Sequence, residues 1–198
     1  MLQHKGTITL ETERLILRRF ALDDAENMFN NWANDSEVTR FLSWPPHENI
    51  EVTRTVISSW IQGYENPETY SWAIVLKEIN KPIGSIALVS VNSKNLRAEV
   101  GYCIGKPYWH KGYTSEAFTR VLEFVFDEVG FNRMEAKHDV RNPHSGGVMK
   151  KCGMTFEGTL RQVGLNRNNE FFSCDLYSIL RSEWDKKKNT KAIKRSDG

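Results

Sequence analysis

The sequence predicts an α/β sandwich around a mixed, mostly antiparallel sheet of seven strands, and three observations predict it. Short β-rich runs follow one another directly across tight turns, which favours antiparallel neighbours. Four stretches with helical spacing fall between or before those runs rather than alternating with every strand, which argues against a doubly wound parallel sheet. The 198 residues, 39% hydrophobic and 11% aromatic, suffice for one substantial core and set no second domain apart.

Taken in order, Leu15-Ile-Leu-Arg-Arg-Phe20 reads as a first strand. From Asp23 a helical stretch carries Met28, Phe29 and Trp32. Phe41-Leu-Ser-Trp-Pro-Pro-His47 is a loop, because adjacent prolines stop a helix. Asn49 can cap a second helix with the stripe Val52, Val56, Ile57, Trp60, Ile61. Strands are predicted at 70–76, 82–91 and 97–104, the last two joined by Asn92-Ser-Lys-Asn95. A helix over 115–129 buries Ala117, Val121, Leu122, Phe124, Val125 and Phe126. Then come a strand at 133–140, a short helix at 145–151 ending at Gly153, and strands at 154–163 and 171–180 around an Asn166-Arg-Asn-Asn169 turn. The order is β-α-α-β-β-β-α-β-α-β-β.

Composition narrows the function. The last thirteen residues carry six basic side chains against Asp197, a local charge of +5 within an overall +2, so residues 1–185 sum to −3. The sequence therefore predicts a single domain over 1–185 and a basic, disordered tail over 186–198, and the acidic body argues against nucleic-acid binding. No 18-residue apolar run and no signal-type leader are read, so a cytoplasmic chain with no membrane role is expected. Cys103, Cys152 and Cys174 form no C-x-x-C pair, which suits reduced thiols rather than disulfides or zinc. Cys103 reads as a buried small hydrophobe or a nucleophile. His138 and His144 make no ligand spacing with His4 or His47, and no metal is expected.

The segment that carries chemistry is Glu99-Val-Gly-Tyr-Cys-Ile-Gly-Lys-Pro-Tyr-Trp-His-Lys-Gly-Tyr-Thr-Ser-Glu-Ala117, where a strand runs through a glycine loop into a helix. A helix N-terminus offers unpaired N–H groups and partial positive charge, Gly112 lets the backbone approach an anion closely, and Lys111 adds a full charge. Alone, the same pattern describes an ordinary tight turn.

The companions decide otherwise. Trp109-His-Lys-Gly112-Tyr-Thr114 resembles the phosphate loop of the GNAT acetyltransferase superfamily, Gln/Arg-x-x-Gly-x-Gly/Ala, with Trp109 and Thr114 departing from it. Tyr108 to Ala117 resembles the Tyr-Trp-x-Lys-Gly-Tyr-x-x-Glu-Ala of the RimJ/RimL branch, the ribosomal-protein N-terminal acetyltransferase-like group. Thr12–Arg18, Ala98–Tyr102, Asn142–Ser145 and Lys151–Arg161 resemble further hallmarks of that branch in the right order, so the likeness covers about residues 9–182.

The resemblance implies a three-layer α/β/α sandwich whose middle strands splay to hold acetyl-CoA, consumed as a co-substrate. Strand backbone at Tyr102, Cys103 and Ile104 would pair with the pantetheine arm, and the N–H groups of His110, Lys111, Gly112, Tyr113, Thr114 and Ser115 would hold the pyrophosphate. Asn142 would bond the pantetheine. Ser145 would sit near the sulfur and assist the departing thiolate, or cap the helix beginning there. Glu99 is the candidate base, or else a strand residue paired with Arg97 or Lys106. RimL-type relatives carry an acidic residue where this chain has Gly164, so that base does not carry over. The His110 side chain is expected in solvent, its backbone carrying the role, or else it is a base. Trp44 and Trp72, with Trp32 and Phe41, are candidates for an aromatic wall that holds the acceptor, or for ordinary packing. Acceptors in view are an amine-bearing protein N-terminus or a small molecule such as a polyamine, amino sugar or antibiotic. A non-catalytic acyl-CoA-binding module is a third reading, and the assembly is expected to be a monomer or homodimer.

Overall fold

Alternation of apolar side chains decides which face each strand gives to which helices. The computed structural model describes residues 2–196, with side chains as far as Thr190. Its strands are β1 (Leu10–Glu11), β2 (Leu15–Arg18), β3 (Ser71–Leu76), β4 (Lys81–Asn92), β5 (Arg97–Ile104), β6 (Arg133–Asp139), β7 (Thr155–Leu165) and β8 (Phe171–Leu180). They form one sheet in the order β1-β2-β3-β4-β5-β6-β8-β7, antiparallel except at β5–β6. The eighth strand, unforeseen in the sequence, is the two-residue β1, paired with Ile16 and Leu17 and too short to show a period.

The helices are α1 (Ala25–Met28), extended by a π turn over Phe29–Ala33, α2 (Ile50–Gly63), α3 (Tyr113–Phe124), α4 (Pro143–Lys151) and α5 (Arg181–Ser196). Asn49 caps α2 as expected, its side chain accepting from the N–H groups of Glu51 and Val52. On one face, Trp72, Ile74, Ile86, Ala98, Val100, Met134 and Tyr177 pack with Phe118, Val121, Leu122 and Met149 of α3 and α4. On the other, Ala73 and Val75 pack with Met28, Trp32 and Ile57 of α1 and α2. β3 is thus buried on both faces, and the architecture has the three layers implied by the resemblance.

α5 runs through the segment the sequence assigns to a disordered tail from residue 186. Anchors inside the fold account for the difference. Trp184 is 5% exposed and stacks on Phe126, Lys187 donates to the Cys152 carbonyl (3.0 Å), and Lys188 pairs with Asp127 (2.7 Å). The end of the expected tail, Asp197 and Gly198, lies outside the described residues. Among those described, no helix is long and apolar enough to cross a membrane.

The outer strands are tied by charge. Arg133 on β6 donates to Glu157 of β7 and to Glu135, and the Ser178 hydroxyl donates to Glu157 at 2.6 Å. The Arg133 hydrogen bonds, with Ser178, hold the Glu157 carboxyl down at about 2, from an ordinary value near 4.5. A carboxyl depressed on folding stabilises the fold above its unfolded value and loses that contribution as pH falls through the folded one. Chemical denaturation of Glu157→Gln should therefore show a flatter loss of stability between about pH 4.5 and 2 than the parent chain. Parallel acid limbs in the two proteins would contradict the assignment.

Candidate active site

The site begins where two strands part. β5 and β6 pair in parallel only at Arg97–Arg133, Ala98–Met134 and Glu99–Glu135. Both strands continue, β5 to Ile104 and β6 to Asp139, while β4 stays paired to β5 throughout. Alternate peptide groups of residues 100–104 therefore face a gap instead of a neighbouring strand. A bulge explains the departure. Leu88 pairs Val100 and Ser90 pairs Glu99, so Val89 is an extra residue that bends the β4–β5 ribbon at the level of the split. Gly101 makes room for it, since a β-carbon there would lie 2.8 Å from a Val89 methyl.

Beyond the gap the chain turns into α3. Trp109, the first departure from the loop pattern, is a structural anchor: its indole N–H donates to the Ile104 carbonyl at 2.8 Å. His110 (φ 60°) and Gly112 (φ 79°) are both left-handed, which bends the loop around its own N–H groups. Among the described residues, none of the N–H groups from His110 to Ser115 donates to a backbone carbonyl, whereas Glu116 N–H already bonds Gly112. Thr114 and Ser115 are buried, and the Ser115 hydroxyl donates to the Gly112 carbonyl at 3.0 Å. The His110 ring is exposed, as expected, and meets His144 edge-on at 5.0 Å. Lys111 turns its ammonium toward Tyr108.

Two cations missed in the sequence complete this loop. A β-carbon on Gly112 would lie 3.5 Å from Lys151 Nζ and 3.6 Å from an Arg14 Nη. Arg14 arrives from the β1–β2 turn, donates to the Lys111 carbonyl (3.1 Å), stacks on Tyr113, and pairs with Glu116 (2.6 Å). Burial alone would raise the Glu116 carboxyl, but hydrogen bonds from Thr12 and Arg14 and the Arg14 charge hold it low. Lys151 comes from the end of α4 and makes no ion pair among the described residues. Free N–H donors, a helix N-terminus and two converging cations form a cradle for an oxyanion such as a phosphate.

α4 starts earlier than expected. Asn142 occupies the N-cap position and Pro143 the first turn, so Ser145 lies inside the helix and is not its cap. The Asn142 side chain makes no capping hydrogen bond. Ser145 is held from across the gap by Tyr102, whose hydroxyl lies 2.9 Å from the Ser145 carbonyl and 3.0 Å from its Oγ. The Tyr102 ring packs on Phe118, and burial pushes its phenol well above the ordinary range. Cys103 faces the opposite side, its thiol 3.3 Å from the Ser85 hydroxyl and pushed up by burial, which is a poor setting for a nucleophile.

The face of β5, β6 and β8 turned away from α3 is open. A pocket of about 450 Å³ there is lined by Arg97, Glu99, Arg133, Glu135, Lys137 and Leu160, among others. Glu99 is on this face, and its carboxylate is taken by Lys137 of β6 at 3.0 Å, not by Arg97 or Lys106. Lys106 instead pairs with Glu37. Trp44 is half-buried beside His47 at the edge of the α1–α2 layer. Trp72 does not belong to an acceptor wall: it is fully buried under α3 and donates to the Ile8 carbonyl at 2.7 Å. Strand alternation puts it on the α3 face, a parity that residue type alone does not reveal.

Comparison with known proteins agrees with this geometry. Residues 14–155 match the family described as "Acetyltransferase (GNAT) domain". An uncharacterized N-acetyltransferase of Bacillus subtilis, YoaA, is 33% identical over 172 residues, covering 87% of this chain and 96% of the relative. YdaF of the same organism, whose name assigns it provisionally to ribosomal N-acetyltransferases, is 32% identical over 148 residues, covering 75% of this chain and 79% of its own. An acetyltransferase (GNAT family) from Bacillus anthracis superposes with a TM-score of 0.78 at 27% identity, over 89% of this chain and 100% of that one. The match to the acetyltransferase family model makes the chain a transferase of acyl groups. The chain belongs to the GNAT family of N-acetyltransferases.

The cradle has a direct test in calorimetric titration with acetyl-CoA. Gly112→Asp puts a strained carboxylate among the donors and should abolish binding, whereas Lys151→Ala should weaken it roughly two- to fivefold, as expected for one exposed cation. Undiminished binding by Gly112→Asp would remove the cradle from the cofactor's path.

Proposed function

We propose that the chain transfers the acetyl group of acetyl-CoA to a primary amine by direct attack, and that the acceptor is a protein N-terminal α-amine. The single observation that carries the first part is the alignment of the unpaired edge of residues 100–104, the 110–115 donor cradle and Ser145 around one gap. The pyrophosphate fits the cradle through unpaired N–H donors with Arg14 and Lys151 at its rim. The free peptide groups of β5 suit the amides of a pantetheine arm, added as a strand is added to an edge, with Asn142 opposite. An N–H of this edge and Ser145 then meet the thioester oxygen and sulfur. The amine nitrogen bonds to the carbonyl carbon, the C–S bond breaks, and the nitrogen loses a proton.

The acceptor assignment rests on the fate of that proton. Glu99 lies on the acceptor face, but its carboxylate meets the proton while already shared with the Lys137 ammonium. An α-amine, with a pKa of about 8 against about 10.4 for lysine, is neutral on the order of 10² more often near pH 7.5 and needs less help. The open sheet face admits an extended chain, and YdaF's provisional ribosomal name points the same way. Glu99 then acts through water as the proton acceptor, at a cytoplasmic site of action.

Release of free CoA from acetyl-CoA should be measured across N-terminal peptides, polyamines and aminoglycosides. The expected result is release with peptides that disappears when the α-amine is blocked. Release confined to the small amines would instead assign the enzyme to metabolite or drug modification. Ser145→Ala should lower kcat at least roughly tenfold while leaving acetyl-CoA affinity nearly intact. Unchanged turnover would reduce Ser145 to a helix residue.

A further inference from the structure

We infer that Tyr102 is a positioning residue that decides where the Ser145 hydroxyl proton points. The inference rests on the proposed action of Ser145 at the cofactor sulfur. The two residues sit on opposite arms of the splay, Tyr102 on β5 and Ser145 on the helix that follows β6. The tyrosine oxygen lies within hydrogen-bond distance of two serine oxygens, the carbonyl at 2.9 Å and Oγ at 3.0 Å.

Counting protons gives the consequence. A phenol has one proton and a carbonyl has none. When Tyr102 donates to the Ser145 carbonyl, the contact between the two hydroxyls is made by the serine proton, which points at Tyr102. Ser145 then offers lone pairs to the gap. When Tyr102 donates to Oγ instead, the serine proton is released from that contact and can turn toward the gap. Passing between the two arrangements rotates two O–H bonds and moves no heavy atom. A neutral thioester tolerates the first arrangement, while a thiolate at the sulfur selects the second, because hydrogen bonds to a charged acceptor are about twice as strong. Tyr102 supplies no proton of its own, since burial holds its phenol far above the ordinary range. It acts through Ser145, and no proton leaves the pair.

Tyr102→Phe tests this cleanly, because it keeps the ring against Phe118 and leaves the strand backbone unaltered. The experiment compares the parent chain, Tyr102→Phe, Ser145→Ala and the double variant in steady-state acetyl transfer, with acetyl-CoA affinity and thermal melting measured alongside. Tyr102→Phe should lower kcat roughly tenfold with affinity for acetyl-CoA within about twofold of the parent, and the double variant should be no slower than Ser145→Ala. Losses that multiply in the double variant, a loss confined to KM, or a Tyr102→Phe enzyme of full kcat beside an impaired Ser145→Ala would overturn the inference alone. A Ser145→Ala enzyme of full kcat would overturn the reading of Ser145 and this inference with it.

Discussion

β5 and β6 share three register positions and then diverge, and the rest of the site depends on where that happens. Had they stayed paired, the peptide groups of residues 100–104 would have been consumed by the sheet, and α3 and α4 would have closed over a continuous surface. The bulge at Val89 places the divergence immediately after Glu99, with Gly101 accepting the crowded methyl. Everything with chemical potential then lines the opening: unsatisfied strand edge on one arm, Ser145 on the other, and the Gly112 loop at the mouth. Lys137–Glu99 and Tyr102–Ser145 cross the split on its two faces, tying its arms together.

A second constraint fixes the loop relative to the sheet. The β1–β2 turn and the first turn of α3 are about a hundred residues apart in sequence, yet Thr12, Arg14 and Glu116 interlock them. The same Arg14 reaches the Lys111 carbonyl and the rim above Gly112. One guanidinium thus holds the loop's shape and adds to its charge. Trp109 does the corresponding work on the other side by bonding back to Ile104.

Much of this was legible because it is local. Helices α2 and α3 follow from apolar spacing, the cap at Asn49 from its side-chain chemistry, and the anion cradle from glycine at a strand-to-helix turn. What escaped the sequence depends on which distant segments meet. Lys151 only ends the predicted 145–151 helix until the fold brings it over Gly112. Trp72 reads as either an acceptor-wall aromatic or ordinary packing until strand parity buries it under α3. The tail reads as solvated because its apolar content is low, whereas the anchor of α5 is Trp184, just before it. Lys137 has no local signature at all. The motifs of the opening strand and of the α3 loop read as separate hallmarks, and the Arg14–Glu116 pair shows why they belong together.

The central claim is that the gap between β5 and β6 holds the reacting end of acetyl-CoA. A crystal structure of the chain with acetyl-CoA tests it most directly. The account requires the pantetheine to hydrogen-bond the backbone of residues 100–104, with the pyrophosphate on the N–H groups of residues 110–115 and the sulfur beside Ser145. Cofactor bound elsewhere, with the gap closed by renewed β5–β6 pairing beyond Glu99, would contradict it.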